Sequence, residues 1–367
     1  MSENELIALL RLQRIPHVGD VIAKRLIDRC GSAEAIFREK KGHLLKIDGV
    51  GTMMLNGLKN EDHLKAALSE HRFIKENNIS YSHFLDDDYP NRLKHCIDAP
   101  ILLFQSGNID LHNRKVISVV GTRNVTAHGQ AFCEKFIDDI APLNPVVISG
   151  FAYGVDIAIQ RAAMERGLQT IGCLDHGLNQ IYPRVHKKYM AKIEENGGFF
   201  TEFWSSSNPE RENFLKRNRI IAGLSEATIV VESAEKGGSL VTADMAHGYN
   251  RDVFAVPGRT TDKYSVGCIN LIKQQKAQLL TSAADLVYLL GWEVEKENDK
   301  PIQKQLFIQL DETEKSIYQC LQLNGKQLLD TVALACNLPI FKVSASLLNM
   351  EMKGAIRPLP GKLFEAI

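Results

Sequence analysis

The sequence has no excess of charge of either sign, since 44 lysines and arginines balance 44 aspartates and glutamates in 367 residues. Bulk charge therefore gives no indication of nucleic-acid binding, and any anion site has to be a local patch. No apolar run approaches the roughly 20 residues of a membrane span. The first residues, "MSENELIALLRLQR", carry acids where a signal peptide carries bases. We therefore expect a cytoplasmic protein without a membrane span.

Cysteine pairs and nucleotide-binding fingerprints are also missing. The seven cysteines form no C-x-x-C pair, which favours reduced buried thiols over a metal site or disulfides. No G-x-x-x-x-G-K-[ST] stretch provides a P-loop, and the G-x-G-x-x-G dinucleotide fingerprint is absent. Asp175 still leaves a nucleotide cofactor open, because an acid near the end of the next strand can hold ribose hydroxyls. We expect no cofactor and no metal.

Strand and helix patterns alternate from residue 116 onward. Seven β-rich runs begin with "VISVV" (116–120) and end with "AQLLT" (277–281). Helical patterns of about 10 to 15 residues lie between them, and this alternation indicates a parallel sheet covered on both faces. The predicted fold class is α/β, with an extended doubly wound Rossmann-like core over residues 116–292.

The region before the core looks helical. Residues 1–65 contain two similar pieces, "LQRIPHVGDVIAKRLI" (12–27) and "LLKIDGVGTMMLNGL" (44–58). They predict a tandem helix-hairpin-helix or SAM-like domain, whose hairpins can offer backbone N–H groups to a phosphate. Simple tight turns in a helical domain explain them equally well. We interpret residues 66–115 as a connector with one β-rich run.

The region after the core begins with a charged segment, residues 293–305, which we interpret as a linker. Residues 306–367 then show three helical patterns and a short hairpin. This order predicts a winged helix, with "LPGK" (359–362) as the wing turn. A generic small helical bundle is the alternative.

The strongest local charge feature is the segment 211–223, which holds four cations and one acid around "NFLKRNRIIAGL". Its apolar residues fall at helical spacing, so one face can pack while the other shows charge. Cations beside Phe214 suit a polymer that carries both phosphates and bases. In the alternative reading, Arg217 and Arg219 bind carboxylates within the fold.

Glycine- and hydroxyl-containing loops follow several of the predicted strands. Examples are "GTRNVTAHG" (121–129), "GFAYGVD" (150–156) and "SAEKGGSLVTADMA" (233–246). In doubly wound sheets ligands bind beyond the carboxyl ends of the strands, and glycine lets the backbone approach an anion closely. With Arg123 and Lys236 on the same edge, these loops predict a phosphate-containing ligand.

Six motifs along the core resemble the DNA-processing protein A (DprA/Smf) family. They are "VVGTRNVTAHG", "SGFAYGVDIAIQRAA", "YPRVHKK", "FLKRNRIIAGLS", "VVESAEKGGSLVTADMA" and "VPGRTTDKYSVGCINLI". The resemblance covers about residues 85–290. Two departures are Gln160-Arg161, where the family often has Ala-His, and Gly237, where a serine is usual.

The resemblance implies a single-stranded DNA-binding recombination mediator and not an enzyme. Such proteins form homodimers, protect incoming single strands and help to load a RecA-type recombinase in natural transformation. Arg123, Lys216, Arg217 and Arg219 would hold phosphates, and Phe214 would stack on a base. The residues that would shape the pocket are Ser149, Gly150, Gly154, Gly238, Ser239, Thr242 and Asn270.

Two other functions remain open from the sequence. A nucleotide phosphoribohydrolase of the lysine-decarboxylase-like group would need a Gly-Gly-x-Gly-Thr loop, whereas "GGSLVTAD" lacks the Gly-Thr pair and has Asp244 near the position of the family's glutamate. A transcription regulator would read duplex DNA with its winged helix. That region carries only Lys342, Lys353 and Arg357 as cations, which favours a protein-contact module.

Overall fold

The structure is a computed structural model that describes residues 1–292, 310–359 and 363–367. The chain divides into two compact units, Met1–Val294 and Glu295–Ile367, and each is considered by itself. The predicted linker, 293–305, lies outside the described residues, and so do three of the four residues of the predicted wing turn, 360–362.

The first unit begins with helices that pack onto two strands. The elements are α1 (Glu3–Gln13), α2 (Asp20–Cys30), α3 (Ala33–Ile36), α4 (Lys41–Leu44), α5 (Thr52–Leu58), α6 (Glu61–Glu76), β1 (Ser80–His83), α7 (Asn91–Lys94) and β2 (Leu102–Gly107). Gly19 and Gly51 are the N-cap residues of α2 and α5, so a turn precedes each helix where the hairpins are predicted. Helix α6 runs across residue 65, and β1 and β2 lie within 66–115.

Strands and helices then alternate to the end of this unit. They are β3 (Val116–Val120), α8 (Ala127–Ile140), β4 (Val146–Ser149), α9 (Val155–Glu165), β5 (Thr170–Cys173), α10 (Lys187–Glu195), β6 (Gly197–Thr201), α11 (Arg211–Leu224), β7 (Ala227–Val230), α12 (Gly238–Gly248), β8 (Asp252–Ala255), α13 (Val266–Lys273), β9 (Gln278–Leu279) and α14 (Ala283–Leu289). Short 3-10 turns cover Ala141–Leu143 and Arg184–His186. The predicted helix at 214–224 begins three residues earlier, at Arg211.

These strands form one nine-stranded sheet in the order β1-β2-β6-β5-β4-β3-β7-β8-β9. All pairings from β6 to β9 along this order are parallel, whereas β1–β2 and β2–β6 are antiparallel. The sheet confirms the predicted α/β class and its doubly wound core. The chain leaves β3 toward β6 on one side and returns to β7 on the other, so the strand order reverses between β3 and β7.

Both faces of the sheet are buried, as the continuous apolar strands require. On β3, Val116 and Val120 join an apolar cluster with α11 and α12, while Ile117 and Val119 join a second cluster with α8 and α9. The helices α1 to α6 use a third cluster, which also includes residues of β2 and the indole of Trp204. The N-terminal helices are therefore packed directly against the edge of the sheet.

In its described residues, 310–359 and 363–367, the second unit has three helices and a small antiparallel sheet. Its elements are α15 (Glu312–Asn324), β10 (Gln327–Leu328), α16 (Leu329–Ala335), α17 (Ile340–Met352), β11 (Ile356–Leu359) and β12 (Leu363–Ala366). The strand order is β10-β12-β11, the arrangement of a winged helix. In the part of the chain that the structure describes, no single helix has the length and apolar composition to cross a membrane; the bent pair α16 and α17 meets that test only when taken together.

Candidate functional site

A pocket of about 710 Å³ opens at the carboxyl ends of β3 and β7. The loop after β3, residues 120–123, forms one wall and the loop after β7, residues 233–239, forms another, while the N-terminal half of α11 closes a third side. We call it the switch-point pocket, because it lies where the strand order reverses. Neighbouring loops diverge at such a point and leave a crevice, which is where ligands bind in doubly wound folds.

Positive charge dominates the walls of the switch-point pocket. Among the described residues that line it, Arg123, Arg211, Arg217 and Lys236 are cationic and Asp156 is acidic. Three of the cations are exposed, and only Arg217 is buried. A single buried carboxylate offsets part of this charge, so the pocket attracts anions although the chain as a whole is neutral.

Phe214 lies between two of these guanidinium groups. The Cζ atom of Arg123 is 4.4 Å from the centre of its ring, and Cζ of Arg217 is 5.8 Å from it. Both distances lie within the range of cation–π attraction. The ring of Tyr182 meets Phe214 edge-on, with 6.0 Å between the ring centres. Phe214 is half-buried and lines the pocket, so an aromatic ring with positive charge beside it borders the pocket.

Arg217 is the cation of the pocket floor, with 3% of its surface exposed. Its guanidinium packs against Gly150, directly after β4, where a Cβ would overlap it. Asp156 lies beside the same glycine and accepts a hydrogen bond from its N–H at 3.1 Å. Burial raises the pKa of the Asp156 carboxyl, although the charge of Arg217 opposes this. The Nε of Arg217 is itself buried and has no hydrogen-bond partner in the described part of the chain.

The start of α12 contributes backbone donors to the pocket. Gly237, its N-cap residue, supplies no side-chain cap, so no side chain competes for the N–H groups of the first turn. The hydroxyl of Ser239 donates to the hydroxyl of Ser233 at 2.8 Å, which fixes the loop after β7 to the helix. Gly238 and Thr242 also line the pocket. A helix N-terminus carries partial positive charge and favours an anion.

Other predicted residues support this pocket or lie away from it. The Ser149 hydroxyl donates to the Val119 carbonyl at 2.7 Å and so joins β4 to β3. Gly154 has a φ of +80°, and a Cβ there would overlap the backbone of Thr122 and Arg123, so it lets the two loops approach closely. Asn270 lies on α13 and does not line the pocket.

Helix α11 divides its charges between two cavities. Arg211, Phe214 and Asn218, spaced by three and four residues, line the switch-point pocket. Asn213, Lys216 and Arg219, spaced by three, line a second cavity of about 610 Å³. We call it the hairpin cavity, because the turn between α1 and α2 forms one wall and residues 202–204 form another. Lys216 and Arg219 therefore do not share the cavity of Arg123 and Arg217.

Arg219 is held in place by carboxylates inside the hairpin cavity. Its Nη2 donates to Asp20 Oδ2 at 2.9 Å and also to Oε2 of Glu202. Burial raises the pKa of Glu202 to about 7, although the guanidinium of Arg219 opposes this. Asp20 also accepts the N–H of Ile101 at 2.9 Å, so the network joins α2, the start of β2 and α11. Arg219 thus connects the N-terminal helices to the core.

The structure brings half of the predicted binding residues together in one pocket: Arg123, Phe214, Arg217, Gly238, Ser239 and Thr242. It adds Arg211 and Asn218 as new lining residues, and Lys236, which the sequence places on the same ligand edge, also lines the pocket. The sequence does indicate that the helix starts near Arg211, because Pro209 and the acids Glu210 and Glu212 are typical of a helix start. An earlier start places residue 211 one turn before Phe214 on the same face.

Asp244 is ion-paired with Lys276 at 2.8 Å and does not line the switch-point pocket. Within residues 1–292, 310–359 and 363–367, no three His, Cys, Asp or Glu side chains are grouped to hold a metal ion. All seven cysteines are free thiols.

Two family models match the chain. The model described as DNA recombination-mediator protein A matches residues 80–291, and the model described as DprA winged helix domain matches residues 304–362. The first match spans all the residues that line the switch-point pocket.

Relatives and solved structures agree with these matches. Protein Smf of Synechocystis is 28% identical over 401 residues, covering 100% of both chains. The crystal structure of DNA processing protein A from Streptococcus pneumoniae superposes with a TM-score of 0.66 at 30% identity, covering 78% of this chain and 98% of that one. DNA processing protein A from Helicobacter pylori, whose structure concerns a single-stranded DNA binding mode, superposes with a TM-score of 0.52 at 27% identity, covering 57% and 95%.

Proposed function

The chain belongs to the DNA recombination-mediator protein A family, and from this premise we propose that it binds single-stranded DNA in the switch-point pocket. Phe214 is the observation that supports this most, because a half-buried aromatic ring with two guanidinium groups close to it lines the pocket. Bases stack on such faces while the neighbouring cations hold the phosphates. The base has to be unpaired to reach the ring, which favours a single strand over a duplex.

Each wall of the pocket has a distinct role in this proposal. Arg123, Arg211 and Lys236 are exposed at the pocket and meet the phosphates. Arg217, on the floor, contributes positive charge and keeps Phe214 in place. The uncapped start of α12 supplies backbone N–H groups. Arg219 is predicted from the sequence to hold a phosphate. In this proposal it stabilises the fold instead, because its guanidinium is held by two carboxylates.

The biological role follows from family membership. We propose that the protein is a recombination mediator that protects incoming single strands, helps a RecA-type recombinase to load on them in natural transformation, and acts as a homodimer. A cytoplasmic location fits this role, and seven free thiols, four of them buried, support a reducing compartment.

We propose binding without catalysis. The carboxylate found in the described lining of the pocket, Asp156, is buried beside Arg217, and Asp244 is paired outside the pocket. Incubation with AMP should therefore release no adenine above the rate in buffer. Release that depends on Asp244 would instead favour a phosphoribohydrolase.

The sharpest test of the DNA site is Arg123→Glu, because this side chain is exposed and its replacement leaves the core intact. Fluorescence anisotropy with a labelled oligothymidylate should show binding weakened by about 10- to 100-fold, since a phosphate contact and a cation–π contact are both lost. Lys192→Glu, an equal charge change on α10 outside the pocket, is the matched control. Equal affinities for the two variants would exclude the switch-point pocket as the DNA site.

A further inference from the structure

The segment "YPRVHKK", residues 182–188, lies beside the switch-point pocket without lining it. The ring of Tyr182 meets Phe214 edge-on, with 6.0 Å between the ring centres, so the segment touches the pocket through an aromatic contact. Tyr182 remains 39% exposed in spite of this contact. Arg184, two residues later, is also exposed. An accessible aromatic ring and an accessible cation therefore continue the surface of Phe214 beyond the pocket.

His186 fixes this segment to the loop after β4. The imidazole is buried, and its Nδ1 donates to the carbonyl oxygen of Phe151 at 2.9 Å. Burial lowers the pKa of His186, which favours the neutral ring. The imidazole also packs edge-on against the buried ring of Phe151, with 5.2 Å between the ring centres. Tyr182 and Arg184 therefore belong to a short turn that is held at the core, so little freedom is lost when they bind a ligand.

The same histidine contacts a second exposed tyrosine. The ring centre of Tyr153 is 5.2 Å from that of His186, and Tyr153 is 45% exposed. The next residue, Gly154, packs against the backbone of Thr122 and Arg123 in the wall of the pocket. A single exposed apolar ring is ordinary on a protein surface. Two exposed rings beside one anion-attracting pocket instead favour a ligand whose bases can stack.

The charge along this segment has one sign. Arg184, Lys187 and Lys188 are exposed, and no Asp or Glu occurs from residue 176 to residue 193. Arg219 differs from them, because it is buried between carboxylates. A local excess of exposed cations raises the concentration of anions at that surface. The segment therefore extends the positive charge of the switch-point pocket toward the start of α10.

We propose that the DNA strand in the switch-point pocket continues over residues 182–188, where a base stacks on Tyr182 and Arg184 holds the adjoining phosphate. The 6.0 Å between the ring centres of Phe214 and Tyr182 corresponds to about two steps of a stacked strand, which advances about 3.4 Å per nucleotide. A strand of four nucleotides is therefore long enough to meet both rings. This inference rests on the proposed function and gives the strand a direction, from α11 toward the start of α10.

The first test separates stacking on Tyr182 from its bulk. Fluorescence anisotropy with labelled dT4, a strand of four thymidines, should show binding weakened by about 5- to 10-fold in Tyr182→Ala, because one base loses its stacking partner. Tyr182→Phe keeps the ring and should bind as the wild type does. Tyr182→Leu keeps apolar bulk against Phe214 without an aromatic face, so it should bind as weakly as Tyr182→Ala. Unchanged binding by Tyr182→Ala, or recovery in Tyr182→Leu, would overturn the inference.

The second test concerns the phosphate contact of Arg184. Arg184→Ala should reduce the slope of log K against log salt concentration for dT16 by about 0.7, because one phosphate contact is lost. Tyr182→Ala should leave this slope unchanged, since stacking releases no counterions. Arg166→Ala, which removes an exposed arginine at the end of α9, is the matched control and should also keep the slope. An unchanged slope in Arg184→Ala would contradict the proposed path.

Photocrosslinking detects the base itself. In dT4 strands with 5-iodouracil at each position in turn, ultraviolet light attaches the base to an aromatic side chain that it touches, and peptide mass spectrometry identifies the residue. We expect adducts on both Phe214 and Tyr182. Adducts on Phe214 without any on Tyr182 would overturn this inference alone. Failure of the proposed function would look different, because neither ring would then be modified and binding would not depend on Arg123.

Discussion

The two sides of α11 carry the same kinds of cation in opposite surroundings. On the switch-point side, Arg123 and Arg211 are exposed and the described lining holds one buried carboxylate. On the hairpin side, Arg219 lies between the carboxylates of Asp20 and Glu202. The difference shows that the neighbouring acids, and not the cations themselves, decide whether a basic residue is available to bind an anion or braces the fold.

The largest effect should come from removing Arg219 on the hairpin side of α11. Arg219→Ala leaves the carboxylates of Asp20 and Glu202 without their cation in a buried site. We expect the free energy of unfolding to fall by about 3–5 kcal/mol. Urea unfolding followed by tryptophan fluorescence measures this, because both tryptophans lie in the first unit. Binding of dT4 by the folded variant should stay close to that of the wild type.

Lys216→Ala is the control for this change, since it removes a cation from the same face of α11, one turn earlier. Its side chain is exposed, so the free energy of unfolding should change by less than about 0.5 kcal/mol. A similar loss of stability in both variants would remove the distinction between bracing and binding cations.

A smaller effect, on DNA binding and not on stability, should come from a change on the switch-point side of α11. Phe214→Ala removes the stacking face and should weaken dT4 binding by about 1–3 kcal/mol. Phe214→Tyr keeps the ring and should restore most of the affinity. Anisotropy titrations at one fixed salt concentration measure both variants. If Phe214→Ala unfolds more easily but binds normally, Phe214 braces the fold, and the contrast between the two sides fails.

Much of the core could be predicted from local pattern. The strands β3 to β8 are short apolar runs buried on both faces, so hydrophobicity and the spacing of helices between them sufficed. The strands β1 and β2 join the sheet through long-range antiparallel pairs, such as Phe104 with Thr201. Nothing in the four residues of β1, Ser80–His83, indicates that they pair with β2. Residues 66–115 are therefore interpreted from the sequence as a connector.

The sequence predicted several residues of the binding site but not how the cations of α11 divide between the two cavities. The motifs located Arg123, Phe214 and Arg217, because loops after parallel strands meet at one edge. The motifs could not show that Lys216 and Arg219 lie outside the switch-point pocket. Which face of α11 these residues occupy depends on the helix start at Arg211, and the role of Arg219 depends on Asp20, which lies 199 residues away in the chain. Long-range ion pairs leave no trace in local sequence, and here one of them decides the role of a residue.

A further effect concerns the pKa of Glu202, on the hairpin side of α11. Burial raises the pKa of Glu202 from its ordinary 4.5 to about 7. Between these pH values the folded state holds a proton that the unfolded state has released, so the free energy of unfolding falls as pH rises through this window. Glu202→Gln removes the titration, and the stability of the wild type relative to this variant should therefore decrease from pH 4 to pH 7.5 and then level off. Urea unfolding of both proteins across this range measures the difference, while Lys192→Ala, with its change on exposed α10, should keep the wild-type slope. A relative stability that increases with pH would mean that the charge of Arg219 lowers the pKa of Glu202 by more than burial and the neighbouring carboxylate of Asp20 raise it.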